Sequence, residues 1–310
     1  MRNTDDDGDN AVIVLAVAIG GSMAAGVVLP APGLIVERYI LVWLGALLFL
    51  NLIRLETSDL LSTFTKPRRL AVLSAIKLVA LPFAMYAVAR LVYEPFALPV
   101  LLLSGISTGL GAPFVVNLVG GRLPLVVGMI ISTSLAVPFV LPVMVYALVG
   151  SEFDIPVAQM VVLLSAALLT PLAAGWIAKK RLPALAGFAD RNSFPLSIVF
   201  IVLINFGMFA KFSPYFYSDQ LFLLQTIALA FLCFVGYCIA GYAAAVGGSR
   251  QERTAGLISM TYVNNVLVAV FAYQFFGPQV AALAALYNIP YYAGLIVLKK
   301  VMMTTPQTKS

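Results

Sequence analysis

Lys77 sits inside an apolar run, where a charged side chain needs a reason. A lysine in such a place can serve as a fixed cation, as a group that takes up and releases a proton, or as an attractant for an anionic substrate. It can also snorkel: Arg69 is eight residues away, roughly 12 Å along a helix, and the long stem could reach that interface. Two more stretches carry polar chemistry within apolar surroundings. The first is Ser104-Gly-Ile-Ser107-Thr108-Gly109-Leu-Gly111-Ala-Pro113, with Asn117 one turn further on. Its glycines loosen the backbone, and Pro113 leaves a carbonyl without its usual donor. The second is Ser259-Met-Thr261-Tyr-Val-Asn264-Asn265. Adjacent amides in a membrane need partners or a wet cavity. The plainer alternatives are a Gly/Pro kink in the first stretch and hydrogen-bond glue between helices in the second. The chain has no histidine, which excludes a His-ligated metal or a His base, and its two cysteines, Cys233 and Cys238, lie in an apolar run. Lys77 and a serine could imitate a Ser-Lys dyad, but nothing in the sequence places them together. No enzyme activity and no cofactor are expected.

The elements that must position these residues follow from composition. Of 310 residues, 62% are hydrophobic and 10% charged, with mean hydropathy +1.00. A soluble domain carries about 25% charged residues, so the chain reads as an all-α polytopic membrane protein. At ~20 residues per crossing there is room for roughly nine to eleven helices. Uncharged runs at 10–36, 39–53, 70–89, 95–121, 123–151, 155–178, 192–210, 220–249 and 254–298, the last divided at Gly277-Pro278, give ten transmembrane helices. If the first starts inside, 15 of the 19 basic residues face the cytoplasm, Arg38, Arg90 and Lys211 face outward, and Lys77 is left within a span. Both termini are then cytoplasmic. The net charge of +6 reflects topology and not a nucleic-acid partner. All 13 acids fall in termini, loops or span ends. The run Asp5-Asp6-Asp7-Gly-Asp9 reads as a solvated, disordered tail over 1–10 and not a magnesium site, and its acidity argues against a cleavable signal peptide.

The chain also matches itself weakly, in one order. Leu48-Phe-Leu-Asn51-Leu-Ile resembles Val202-Leu-Ile-Asn205-Phe-Gly; Ile76-Lys77-Leu-Val-Ala-Leu resembles Leu224-Gln225-Thr-Ile-Ala-Leu; and Gly121-Arg-Leu-Pro resembles Gly277-Pro-Gln-Val. The expected organisation is two five-helix repeats, 11–151 and 152–303, followed by a cytoplasmic tail at 304–310. Because five is odd, the second repeat is inverted relative to the first, and the expected discontinuous helices are the fourth and the ninth.

At these residues the sequence resembles the bile acid:sodium symporter family. Leu50-Asn-Leu-Ile-Arg-Leu-Glu-Thr-Ser-Asp59, then Lys66-Pro67 and Ala75-Ile-Lys77-Leu-Val-Ala-Leu-Pro82, is similar to its second and third spans. Gly111-Ala-Pro-Phe through Gly121 to Ser134-Leu-Ala-Val-Pro138, and Arg253-Thr through Asn264-Asn265 to Phe276-Gly-Pro278, follow its layout. The resemblance implies sodium held by side-chain oxygens of the third, fourth, fifth and ninth spans, one of them a carboxylate a few residues before an amide pair. Anchored on Asn264-Asn265, that carboxylate falls at Met260 and the other ligands near Lys77, Pro113, Phe114, Val127 and Ile131. Almost all those oxygens are missing, and hard cations need several. A lysine ammonium near the implied amide position could itself replace the ion. An arsenite-exporting relative would carry a cysteine in the fourth span, and this chain has none there.

The expectation is therefore a secondary transporter of a small organic anion, integral to the cell (inner) membrane and working by alternating access, proton-coupled or uniport in place of sodium-coupled. Its site is drawn from Lys77, Ser107, Thr108, Gly111, Pro113, Asn117, Ser259, Thr261, Asn264 and Asn265. The alternative is a non-transporting receptor or scaffold on the same fold.

Overall fold

A computed structural model describes residues 4–53, 67–109, 111–150 and 155–304, with the backbone alone for 4–13, 15–16, 51–53 and 302–304. The expectations resting on the side chain of Asn51, on the loop residues from Arg54 to Lys66 and on the tail from 305 lie outside what is described. The rest is helical: α1 (Thr4–Val28), α2 (Pro30–Glu37), α3 (Ile40–Ile53), α4 (Pro67–Val92), α5 (Ala97–Gly105), α6 (Ala112–Leu118), α7 (Leu123–Val149), α8 (Val157–Arg181), α9 (Pro183–Arg191), α10 (Ser193–Ser218), α11 (Gln220–Ala244), α12 (Arg250–Thr261), α13 (Asn265–Phe276), α14 (Pro278–Leu286) and α15 (Asn288–Thr304). Among the described residues six helical stretches are long and apolar enough to cross a membrane: α4, α7, α8, α10, α11 and α14 with α15 as far as Val301. Their outward faces carry exposed Phe83, Phe139, Val162, Leu232 and Ile239, as lipid contact requires. Hydrocarbon also explains the preference for helices, which satisfy their own backbone.

Two expectations change here. The run 10–36 was expected to form one continuous span, but it bends by 110° between α1 and α2. Pro30 has no N–H to continue the first helix and fits the first turn of the second. The acidic run Asp5–Asp9 is also helical in its backbone, because α1 begins at Thr4. Carboxylates in a first turn favour the positive end of a helix over disorder.

The described chain packs as two compact units. The first takes Met1–Arg54 and Thr170–Leu224; the second takes Leu55–Leu169 and Gln225–Ser310. Each draws on both 11–151 and 152–303, so packing divides the chain differently from the proposed repeats. The chain passes from one unit to the other within α8 and within α11, and α8 carries Pro171 just past that boundary.

In the first unit α1 and α2 lie on α10. Gly26 and Gly33 meet Phe206 and Ala210, and Gly207 meets the backbone of Glu37. Close approach through small residues gains dispersion contacts where the hydrophobic effect supplies no drive between helices. Lys211 and Glu37 form an ion pair across this contact. Trp43 donates its indole N–H to the Val36 carbonyl (3.1 Å) and stacks on Phe200.

In the second unit α5 is buried over its whole length, from Ala97 to Gly105. At one end of this unit Glu252, 2% exposed, takes an ion pair from Arg69 and another from Arg122 (2.8 Å). It also closes a capping box with Ser249 at the start of α12, so a single carboxylate ties α4, the α6–α7 turn and α12 together. Further along, α11 and α12 cross at two glycines. A Cβ on Gly241 would lie 2.5 Å from the Gly256 oxygen and 2.8 Å from the Leu257 Cα. Gly241→Val should therefore force backbone apart and destabilise the protein by about 1–3 kcal/mol, read as a lowered Tm in detergent; an unchanged Tm would mean that α11 is free to shift.

Candidate functional site

Both stretches singled out in the sequence interrupt helices, and the interruptions meet. The helix α5 ends at Gly105 because Ile106 turns extended (φ −74°, ψ 160°), and α6 starts seven residues on, at Ala112. The helix α12 ends at Thr261, and α13 starts at Asn265. Between the breaks Thr108 and Val263 form an antiparallel bridge. The Gly109 N–H donates to the Tyr262 carbonyl (2.7 Å), and the Asn264 N–H donates to the Ser107 carbonyl (3.0 Å). Gly109 is needed here because any Cβ would strike the Val263 and Tyr262 main chain.

Side chains reinforce the crossing. The Thr108 hydroxyl donates to the Ser259 carbonyl (2.8 Å), and the Thr108 N–H donates to the Thr133 hydroxyl oxygen of α7 (3.0 Å). Tyr287, at the α14–α15 junction, donates its hydroxyl to the Thr261 carbonyl (2.9 Å). Asn264 caps α13 by accepting from the Leu267 N–H (3.3 Å). Asn265 donates to the side-chain oxygen of Asn288 (2.7 Å).

Lys77 belongs to the same unit. It lies in a single π turn of α4, Ile76–Ala80, where the Leu81 N–H reaches back to the Ile76 carbonyl just before Pro82. The extra residue of a π turn re-aims the side chains next to it. The Lys77 side chain is fully buried, and Nζ donates to the Ser104 carbonyl (2.7 Å) in the last turn of α5. Nζ also lies 5.9 Å from the centre of the Tyr237 ring. The snorkelling alternative does not describe this geometry, since the amine points inward. Nor does Lys77 engage the Ser104 hydroxyl as a Ser-Lys dyad would require: that hydroxyl donates to the Val100 carbonyl (2.6 Å).

The structure thus brings together Ser107, Thr108, Ser259, Thr261 and Asn264, with Lys77 against the adjoining end of α5. Asn265 is beside them but spent on Asn288. Gly111 and Pro113 are half-buried at the start of α6, where a Cβ on Gly111 would strike the Tyr291 hydroxyl. Asn117 is exposed on α6 and forms no part of the crossing. Sequence reasoning missed Thr133, Tyr287 and Asn288. The polar triplet Ser132-Thr133-Ser134 within an apolar helix was the available signal for the first, and a lone mid-run amide for the last. The buried hydroxyls of Ser107, Ser259 and Tyr262 have no hydrogen-bond partner among the described residues, which marks them as groups awaiting one.

A profile of the sodium bile acid symporter family matches residues 41–218. The chain belongs to the sodium bile acid symporter family. No curated protein matches it. The matched segment of this family member runs from α3 through α10, so it includes Lys77 and the first break and stops short of the second.

The family name implies a sodium ion, and the donor set here does not fit one. Met260, where the resemblance places the carboxylate, is fully buried and apolar, as is Val127. Five carbonyls at the two breaks already accept hydrogen bonds: Ser104 from Lys77, Ser107 from Asn264, Ser259 from Thr108, Thr261 from Tyr287 and Tyr262 from Gly109. Among the described residues the one buried acid is Glu252, and two arginines hold it. The oxygens left free, the hydroxyls of Ser107, Ser259 and Tyr262, are neutral, and a hard cation needs several oxygens with negative charge nearby.

Proposed function

We propose that this protein is a secondary transporter of a small organic anion, working by alternating access around the crossing of the two broken helices. The observation that carries the reading is the bridge between Thr108 and Val263, flanked by the unpartnered hydroxyls of Ser107, Ser259 and Tyr262. Discontinuous helices meeting inside a bundle are where secondary transporters bind their substrates. Hydroxyl donors beside the positive end of α13 suit a carboxylate or sulfonate, and among the described residues no carboxylate at the crossing would repel it.

On this reading the bent pair α1–α2, the short α3 and the two broken pairs cross the membrane along with the six long stretches, which makes ten spans in two inverted repeats of five. The basic residues then put both termini in the cytoplasm of a cell whose inner membrane holds the protein. The two units joined through α8 and α11 supply the two bodies that alternating access requires. With no fitting sodium site, proton-coupled transport and uniport are the modes the residues support.

The test is uptake of labelled taurocholate and of short labelled carboxylates by the purified protein in proteoliposomes. Saturable uptake at least ~10-fold above protein-free vesicles is expected for one of them, as carrier-mediated flux through a midplane site requires. Binding without flux would overturn the transporter reading in favour of a receptor or scaffold.

A further inference from the structure

The end of α5 receives an amine that belongs to the chain itself. A half-helix that stops inside a protein leaves carbonyls of its last turn without intrahelical donors and presents the negative end of its dipole. Transporters built on such breaks use those ends to hold cations. At α5 the Ser104 carbonyl accepts from Lys77 Nζ at 2.7 Å, with the face of the Tyr237 ring on the same amine at 5.9 Å. At α12, the other half-helix that ends at the crossing, the Thr261 carbonyl accepts from the neutral Tyr287 hydroxyl. One end therefore receives an ionisable amine and the other an uncharged donor. The π turn at Ile76–Ala80 delivers Lys77 to this point. The side chain is fully buried, and no carboxylate reaches it among the described residues; the buried acid Glu252 is engaged by Arg69 and Arg122. A charged side chain in that position is compensated by the helix end, by the aromatic face and by an anionic substrate when one arrives.

We propose that the Lys77 ammonium is a tethered cation at the C-terminal end of α5, standing in for the coupling ion, so that the transport cycle runs without sodium. This deepens the transporter reading above and rests on it.

The experiment compares the full-length wild type with Lys77→Met, which keeps the volume and removes the charge, and with Lys77→Ala, which leaves room for a free amine. Wild-type uptake of the transported anion should change less than ~2-fold when choline replaces sodium, and Lys77→Met should lose at least ~10-fold in either salt, the scale of one removed transition-state interaction. Propylammonium should restore Lys77→Ala several-fold, and propanol, of the same size but neutral, should not. In detergent the Tm of wild type should be the same in sodium and choline chloride, and propylammonium should raise that of Lys77→Ala. Sodium-dependent wild-type uptake, normal uptake by Lys77→Met, or equal rescue by propanol overturns the tethered cation while leaving a transporter. A wild type inactive towards every anion overturns the transporter reading instead. The melting comparison then decides the tethered cation: a Tm of Lys77→Ala indifferent to propylammonium overturns it.

Discussion

Glu252→Ala is expected to destabilise the protein by about 2–4 kcal/mol. Removing one partner of a buried ion pair costs roughly 3–5 kcal/mol when the other charge is stranded. Here Arg69 and Arg122 are 25% and 31% exposed in their side chains, so both regain water and the loss falls toward the lower end. Against that, the capping box at α12 goes as well, worth ~0.5–2 kcal/mol. Glu252→Gln separates the contributions, because glutamine can still close the box but has no charge. It should be intermediate. Thermal or denaturant unfolding in detergent reads both variants; if Glu252→Ala lies within about 0.5 kcal/mol of wild type, the two ion pairs contribute no more than exposed ones do.

Gly109→Ala should damage function by forcing the crossing of the two breaks open. The added Cβ would sit 2.5 Å from the Val263 oxygen, 2.7 Å from the Val263 carbonyl carbon and 3.0 Å from the Tyr262 oxygen. All are main-chain atoms, held in place by the bridge and by the flanking bonds from Gly109 and Asn264. No rotamer change relieves the clash, so the crossing has to open. Overpacking against fixed atoms costs about 1–3 kcal/mol, and the hydroxyls of Ser107 and Ser259 would be carried out of register. Uptake should fall by at least ~10-fold. Gly21→Ala is the control: a Cβ there meets nothing within 4 Å, and alanine in a helix gains ~0.5–1 kcal/mol over glycine, so its uptake should match wild type. Equal uptake by Gly109→Ala would mean that the breaks are scaffolding, with the substrate elsewhere.

The breaks were legible in the sequence because local chemistry makes them. Gly109, Gly111 and Pro113 weaken one helix from within, Asn264 can cap another, and Gly277-Pro278 separates α13 from α14 by a residue at φ +87°. The span ends of α7 and α8 were legible for the same reason. What the sequence hid depends on distance along the chain. Nothing local says that Tyr287 satisfies the carbonyl of Thr261, that Thr133 receives the N–H of Thr108, or that Asn288 occupies Asn265. The bend at Pro30 had its signal in Pro30 and Pro32, masked by an uncharged run that looked like one span. Asn117 carries an amide suited to a site, and only packing reveals that it faces outward. The match of Lys77 with Gln225 does not carry over to environment either: Lys77 is buried and Gln225 exposed.

The placement of Pro171 has a mechanical consequence. One of the points where the chain passes between the two compact units falls between Leu169 and Thr170, inside α8, and Pro171 follows directly. Proline removes the hydrogen bond that would close onto the carbonyl of Ala167 and crowds that turn. A helix is therefore more compliant there than elsewhere along its length. A flexible loop at membrane depth would expose polar backbone to lipid, whereas a proline joint within a continuous helix keeps nearly every backbone group bonded while it bends. In α8 a bend is thus available at Pro171 at the cost of a single backbone hydrogen bond.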